Sequence, residues 1–456
     1  MTWMHYMGSA LVILLIIGIG IYSGKHVGTS SNSNKGRRAT TGLVTGALLG
    51  TLVGGSSTIG TAQLAYTYGF SAWWFTLGGG IGLLALGTVF AKPLYCSGIT
   101  TFSELFVNEY GKRTGFISAL LNSIGILLAV VAQIISGVAL ITAVTSFTTM
   151  EGTILIIVLM LFYAFSGGSL GAGYVGIVKT VLIFGLVVIC GMLAITDAGG
   201  LGVFFNNPLL PHETYFNLFA RGVTVDLGAG LSLLVGVLTT QSYLSAFLMA
   251  KSLKVARAGA LLGALLSAII GVLGIFVGMY MKLNYPDIDA KMALPVFIME
   301  KIPSGLAGIM LGTLLIVVVG TGAGLSMGVT SIFCHDIYKE YIHKQANPER
   351  LRIVSRITQT IILIGCSLLT LGNMGDLILG WSFMSMGLRG SVTFVPLFVT
   401  LFVRKKISSK YAVSAMVAGA FFTLIGKGIL PSYIDSIFLG IMAATILIMI
   451  GYWLPD

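Results

Sequence analysis

Arg389 stands in Gly387-Leu388-Arg389-Gly390-Ser391, about 13 residues from either end of a long apolar segment. At that depth a guanidinium cannot easily snorkel to water, and an intramembrane charge is costly enough that it marks a function. No Asp or Glu occupies the middle of any apolar segment to neutralise it. Two partners remain open: an anionic solute, such as a carboxylate gripped by the planar fork, or backbone carbonyls exposed near Gly387, Gly390 and Pro396. A second chemical feature is the run Val53-Gly54-Gly55-Ser56-Ser57-Thr58-Ile59-Gly60, set inside an apolar stretch from Thr41 to Tyr68. Unpaired amides and carbonyls in hydrocarbon cost several kcal/mol each, roughly, so a spanning helix breaks only where something uses the freed groups. Thr58 and Gln63 follow on the same segment, and Gln133, Thr240 and Gln241 are further polar side chains inside apolar segments. Each offers either a solute contact or an ordinary interhelical hydrogen bond. This is an inventory for binding ions and solutes, not for making bonds. The five His are scattered and Cys96, Cys190, Cys334 and Cys366 lack CxxC spacing, which leaves no disulfide framework, transition-metal site, organic cofactor or acid/base constellation.

The elements that position these residues follow from composition. Of 456 residues, 56% are apolar and 9% charged, the signature of an all-α integral membrane protein with about 13 spans of roughly 20 residues. The expected spans are 7 to 23, 41 to 67, 71 to 91, 116 to 146, 152 to 167, 175 to 196, 223 to 249, 259 to 281, 305 to 333, 353 to 371, 376 to 403, 411 to 428 and 434 to 453. Connections are too short for a second domain, so residues 1 to 456 read as one transporter domain. The net charge of +11 lies in alternate loops: Lys25 to Arg38, Lys92 to Arg113, Lys251 to Arg257, Lys339 to Arg352 and Arg404 to Lys410. The positive-inside rule then puts the N-terminus outside and the C-terminus in the cytoplasm of a multi-pass plasma (inner) membrane protein. The first segment has no preceding basic residue or cleavage site and is kept as a helix. Two glycine runs, Gly78 to Gly82 and Gly320 to Gly324, sit inside spans rather than after strands, so they read as close helix packing and not as nucleotide loops.

Several motifs in one order resemble the sodium:solute symporter family. The opening run continues Gly60-Thr61-Ala62-Gln63-Leu64-Ala65-Tyr66; then come Gln241-Ser242-Tyr243 with Lys251, Lys254 and Arg257, Ala293-Leu294-Pro295, Ile302 to Gly308, and Thr330 to Lys339. The resemblance implies a LeuT-type fold of two inverted five-helix repeats, 41 to 196 and 223 to 403, with a broken first core helix, alternating access, and peripheral helices at 7 to 23 and 411 to 453. It further implies a sodium site from oxygens at Ser56 and Ile59 of the broken helix and at Val317, Gly320 and Thr321 of the eighth core helix, where oxygen donors suit a hard cation. Gly320 departs from the pattern, since a hydroxyl is usual there. The fifth core helix departs too. Gly167-Gly168 is followed by Gly176 and Lys179 where an acid and an amide are usual, so Lys179 is a candidate to replace the cation, to reach the aqueous interface, or to touch solute. Gln63 and Gln241 match solute contacts of sugar-transporting members, and Tyr243 resembles an aromatic gate.

The function expected is secondary active, cation-coupled symport of a small organic solute, with Na+ as the coupling ion. The cationic interior favours a small carboxylate over a neutral sugar. Alternatives are a proton-coupled or uncoupled transporter of the same fold with Lys179 in place of sodium, and a transporter-like solute sensor. An enzyme is not expected, and the partners are a small solute and the lipid bilayer rather than nucleic acid.

Overall fold

The protein was analysed as a computed structural model describing residues 2–14, 39–165, 172–343, 345, 347–372, 375–403, 407–431 and 433–454. The expected residues Gly167 and Gly168, the rest of the span 7 to 23 and the basic stretches 25–38 and 404–406 lie outside the described residues.

Helix α1 (Trp3–Leu14) precedes the broken pair α2 (Thr41–Leu52) and α3 (Gly55–Tyr68). Next come α4 (Trp74–Gly87), the short α5 (Ala91–Cys96) and α6 (Phe102–Tyr110), and the long α7 (Lys112–Val144). Helices α8 (Thr149–Phe165) and α9 (Ala172–Asp197) lead to two short surface helices, α10 (Leu201–Asn206) and α11 (His212–Tyr215). A second broken pair follows, α12 (Val223–Thr239) and α13 (Gln241–Leu248), then α14 (Leu253–Asn284), α15 (Ala293–Lys301) and α16 (Ser304–Ile332). The chain closes with α17 (Pro348–Gly372), α18 (Ile378–Phe402), α19 (Ser409–Ile429) and α20 (Ser436–Trp453).

Each of the expected spans overlaps a helix or a helix pair. By length and apolarity, nine helices among the described residues are able to cross a membrane, or ten with the pair α12 and α13, which bends by 53°. The expected number of about 13 is higher: α1, α2 and α8 are apolar but have fewer than 18 described residues each, and Gly55–Gly87 counts as one continuous helical stretch. A broken span halves the length of each piece, and a length criterion then misses α2.

Small residues bring the helices together, as expected for membrane packing, where apolar burial alone does not distinguish protein from lipid. A Cβ on Gly78 of α4 would lie 2.7 Å from the carbonyl oxygen of Gly230 in α12, and one on Gly82 would lie 2.8 Å from the Val237 Cβ. Gly259 and Gly278 of α14 are similarly closed against Val44 of α2 and Ala62 of α3. The first glycine run is therefore a packing face.

Polar contacts pin the ends. A backbone bridge joins the start of α2 to the segment after α13: the Ala39 amide donates to Met249 at 3.0 Å and the Lys251 amide to Ala39 at 3.1 Å. At the α12 end, Arg221 pairs with the fully buried Asp226 at 2.5 Å. The Ser71 hydroxyl donates to the same carboxylate at 2.8 Å, and the guanidinium lies 5.3 Å from the Phe383 ring.

Candidate functional site

The break between α2 and α3 is built by its own hydroxyls. Val53 and Gly54 leave helical geometry, and Ser57 closes the restart: its hydroxyl accepts from the Gly54 amide and donates to the Gly54 carbonyl, both at 2.8 Å. Thr58 bonds back to the Gly54 and Gly55 carbonyls at 3.1 and 3.0 Å. Such local side-chain bonds satisfy backbone groups that the interrupted ladder leaves open. Glycine at 55 has a separate role. A Cβ there would sit 2.1 Å from Cγ2 of Val318, so only glycine lets α3 press against α16.

That approach assembles a polar group from five helices. On α16, Thr321 lies beside Gly54, with its Oγ1 3.7 Å from where a Gly54 Cβ would stand. From α7, the buried Gln133 donates through Nε2 to the Ser56 hydroxyl at 2.8 Å, and from α18 Ser382 reaches the same hydroxyl at 3.4 Å. From α9, the Lys179 ammonium donates to Thr321 Oγ1 at 2.7 Å. The Gln133 carbonyl oxygen, buried, has no hydrogen-bond partner among the described residues. Ile59 and Val317 are fully buried on α3 and α16, and the space over Gly320 is bounded by the Tyr163 ring, 3.5 Å from a Cβ built there.

Not every expected residue joins this group. Gln63 is buried on α3, but its carbonyl oxygen accepts from the Ile378 amide at 2.9 Å and so caps the start of α18. Gln241 is exposed and ties down the segment before α6, accepting from the Phe102 amide at 3.1 Å and donating to the Thr100 carbonyl at 2.9 Å. The Thr100 amide and hydroxyl also donate to Glu104, whose carboxyl they hold below the usual range.

Arg389 forms a second centre. Its side chain is 3% exposed, and among the described residues no acidic side chain is in ion-pair contact with it. Its Nε donates to the Ser385 carbonyl at 3.1 Å and its Nη2 to the Ser385 hydroxyl at 2.9 Å, with Met386 Sδ at 3.2 Å. Gly125 of α7 makes room, since a Cβ there would meet the Arg389 Cγ at 2.6 Å. Tyr243, in the first turn of α13, is fully buried, and its hydroxyl has no partner among the described residues. The Thr240 hydroxyl, at the α12–α13 bend, is also buried and unpartnered among the described residues.

Sequence reasoning overlooked Ser382, Ser385, Tyr163 and the Asp226 cluster. Ser382 and Ser385 were legible, standing at spacings of seven and four before Arg389 and therefore near its face of a helix. Tyr163 carried no signal, being one aromatic among many, and the Asp226–Arg221–Ser71 cluster joins the start of α12 to a residue 150 positions before Arg221.

Residues 35–419 match the sodium:solute symporter family. The chain belongs to that family. Its helices have the LeuT-type arrangement, and it is a membrane transporter of the Na+-coupled solute symporter class rather than an enzyme. The human high affinity choline transporter 1 is 25% identical over 445 residues, covering 91% of this chain and 75% of that one. The rabbit (Oryctolagus cuniculus) sodium/glucose cotransporter 1 is 24% identical, covering 69% of this chain and 54% of the relative. Among solved structures, a Na+-coupled sialic acid symporter in a substrate-bound outward-open state is similar with a TM-score of 0.77 at 17% identity, covering 100% and 99% of the two chains. Mhp1 in its inward-facing conformation has a TM-score of 0.57 at 14% identity, covering 91% of each chain.

Proposed function

We propose that this symporter carries a small organic solute past the α2–α3 break by alternating access, with Na+ held by oxygens of Ser56, Ile59, Val317 and Thr321. The observation that carries this reading is the convergence of Gly54, Ser56, Gln133 and Thr321 at one interrupted helix. Interrupted helices present carbonyl and hydroxyl oxygens to a cation at mid-membrane. Coupling then requires that Na+ bind the outward-open state better than the inward-open one, because a ligand shifts an equilibrium only by its differential affinity. The repeats 41 to 196 and 223 to 403 together supply a four-helix bundle that rocks against a scaffold, in a plasma-membrane protein with its C-terminus in the cytoplasm. A small carboxylate is favoured as solute, since no acidic side chain among the described residues forms an ion pair with Arg389.

One contact favours a second reading. The Lys179 ammonium sits 2.7 Å from Thr321 Oγ1, where a tethered cation takes the place of a free one, and transport is then proton-coupled or uncoupled. Uptake of a panel of small carboxylates, amines and sugars into proteoliposomes, under an imposed Na+ or proton gradient, separates the two. Under the main reading wild type follows Na+ and ignores pH, and Lys179→Gln retains Na+-driven uptake. Uptake that ignores Na+ in wild type but acquires Na+ dependence in Lys179→Gln overturns it for the second.

A further inference from the structure

We propose that the seam between α8 and α17, at the end the charge rule turns toward the cytoplasm, binds one anionic phospholipid, with its phosphate held by Arg352 and Arg356. The site stands apart from the solute path and does not depend on the transport reading.

The apolar part of the site comes from two helices. Helix α17 is, with α20, the least buried of the spanning helices among the described residues. Ile353, Ile357 and Ile361 recur at four-residue intervals and are all exposed, so they form one outward stripe. On α8, Val158 and Phe162 are exposed at the same spacing. The two helices pack against each other, and the Arg356 guanidinium lies 5.4 Å from the ring of Phe165, the last residue of α8. That cation–π contact holds a charge at the seam. Apolar faces in a membrane meet acyl chains of any lipid; the charges beside them select which lipid.

Those charges are two guanidiniums without counter-ions. Arg352 and Arg356 are exposed and one helical turn apart, about 5–6 Å between Cβ atoms. Neither makes an ion pair among the described residues, although Glu349 is only three positions before Arg352. The ion pairs that are made, Arg221 with Asp226, Lys291 with Asp289 and Lys301 with Asp197, lie in segments that the charge rule puts on the opposite side. Arg350 is already engaged: its Nε donates to Tyr338 Oη at 3.0 Å, and its Nη1 lies 3.5 Å from His343 Nε2. Depth follows from length. The 25 residues of α17 extend about 38 Å against about 30 Å of hydrocarbon, so its first turns stand at headgroup level. Two planar forks placed there can share the oxygens of one phosphate. A zwitterionic headgroup brings its own cation to the same place and cancels much of the attraction, whereas an anionic one does not.

Native mass spectrometry of the purified full-length protein, in detergent doped with dioleoyl phosphatidylglycerol or dioleoyl phosphatidylcholine, tests the site. Wild type should retain phosphatidylglycerol and shed phosphatidylcholine at equal concentration. Arg352→Gln combined with Arg356→Gln should bind phosphatidylglycerol about tenfold more weakly or worse, since each cation near a lipid surface contributes appreciably. Phe165→Leu keeps every charge but frees Arg356, and should lose part of the binding. Lys254→Gln combined with Arg257→Gln, which removes two charges from the start of α14, should bind as wild type does. Melting temperatures in lipid-free detergent close to that of wild type show that the variants fold. Equal retention of the two lipids, or undiminished phosphatidylglycerol binding without Arg352 and Arg356, overturns the proposal. An equal loss in the α14 variant overturns it in favour of general attraction to a basic face. Displacement of the lipid by inorganic phosphate at the same concentration gives the site to a free anion instead.

Discussion

At the scale of single residues, the chemistry here is set by which polar atoms find partners and which do not. Gln133 divides its amide: the nitrogen holds Ser56, and the carbonyl oxygen remains open beside the break. Lys179 had three destinations in sequence, and the structure directs it to Thr321. Asp226 shows the opposite extreme, a carboxylate with every neighbour committed, from the Arg221 side chain and amide and from Ser71. Removing one member of a buried ion pair leaves an uncompensated charge and typically costs about 3–5 kcal/mol. Asp226→Ala is therefore expected to lower the melting temperature of the detergent-solubilised protein by many degrees, while Asp226→Asn, which keeps the shape and the Ser71 contact, loses less. Equal stability of Asp226→Ala and wild type would show that the cluster contributes nothing.

At the scale of elements, two broken helices do most of the positioning, and they break differently. The α2–α3 interruption is capped internally by Ser57 and Thr58, whereas the α12–α13 bend leaves Thr240 unsatisfied. The first break is held in contact with α16 by the absence of a side chain at Gly55. Gly55→Ala inserts a methyl group 2.1 Å from Val318 Cγ2, and overpacking of this kind costs about 1–3 kcal/mol. The expected outcome is a protein that still folds, melts lower and takes up solute poorly, because the helices that pair Gly54 with Thr321 are pushed apart. Normal Na+-driven uptake by this variant in proteoliposomes would mean that the α3–α16 contact does not set the cation site. Much of this was legible. Glycine and hydroxyl residues in hydrocarbon announce a break because helices do not interrupt themselves there without use. The capping of α18 by Gln63, 315 positions away in the chain, was not legible, since nothing local distinguishes a buried amide that caps a helix from one that touches a solute.

At the scale of the whole molecule, topology is the claim that chemistry tests most directly. Of the four free cysteines, Cys96 is exposed and Cys190, Cys334 and Cys366 are buried. Cys96 ends α5 in the basic stretch from Lys92 to Arg113, which the charge rule puts in the cytoplasm. In intact right-side-out vesicles a membrane-impermeant maleimide should leave the protein unlabelled, and permeabilisation should expose a single fast-reacting thiol that disappears in Cys96→Ser. Labelling of Cys96 before permeabilisation would invert the proposed orientation.

By itself the sequence determined the class of molecule, the approximate place of each span, the break at Val53 to Gly60 and the family. These follow from local and cumulative quantities: apolar length against bilayer thickness, charge along the chain, and the cost of an interrupted hydrogen-bond ladder. Only the tertiary structure decided that Gln63 and Gln241 serve helices and loops, that Lys179 meets Thr321, and that Arg389 folds back onto Ser385 beside the face of α7 opened by Gly125. A long polar side chain reaches several ångströms in any direction from its helix. Its partner is chosen by which helices pack beside it, and that choice is made by close contacts between residues far apart in the chain.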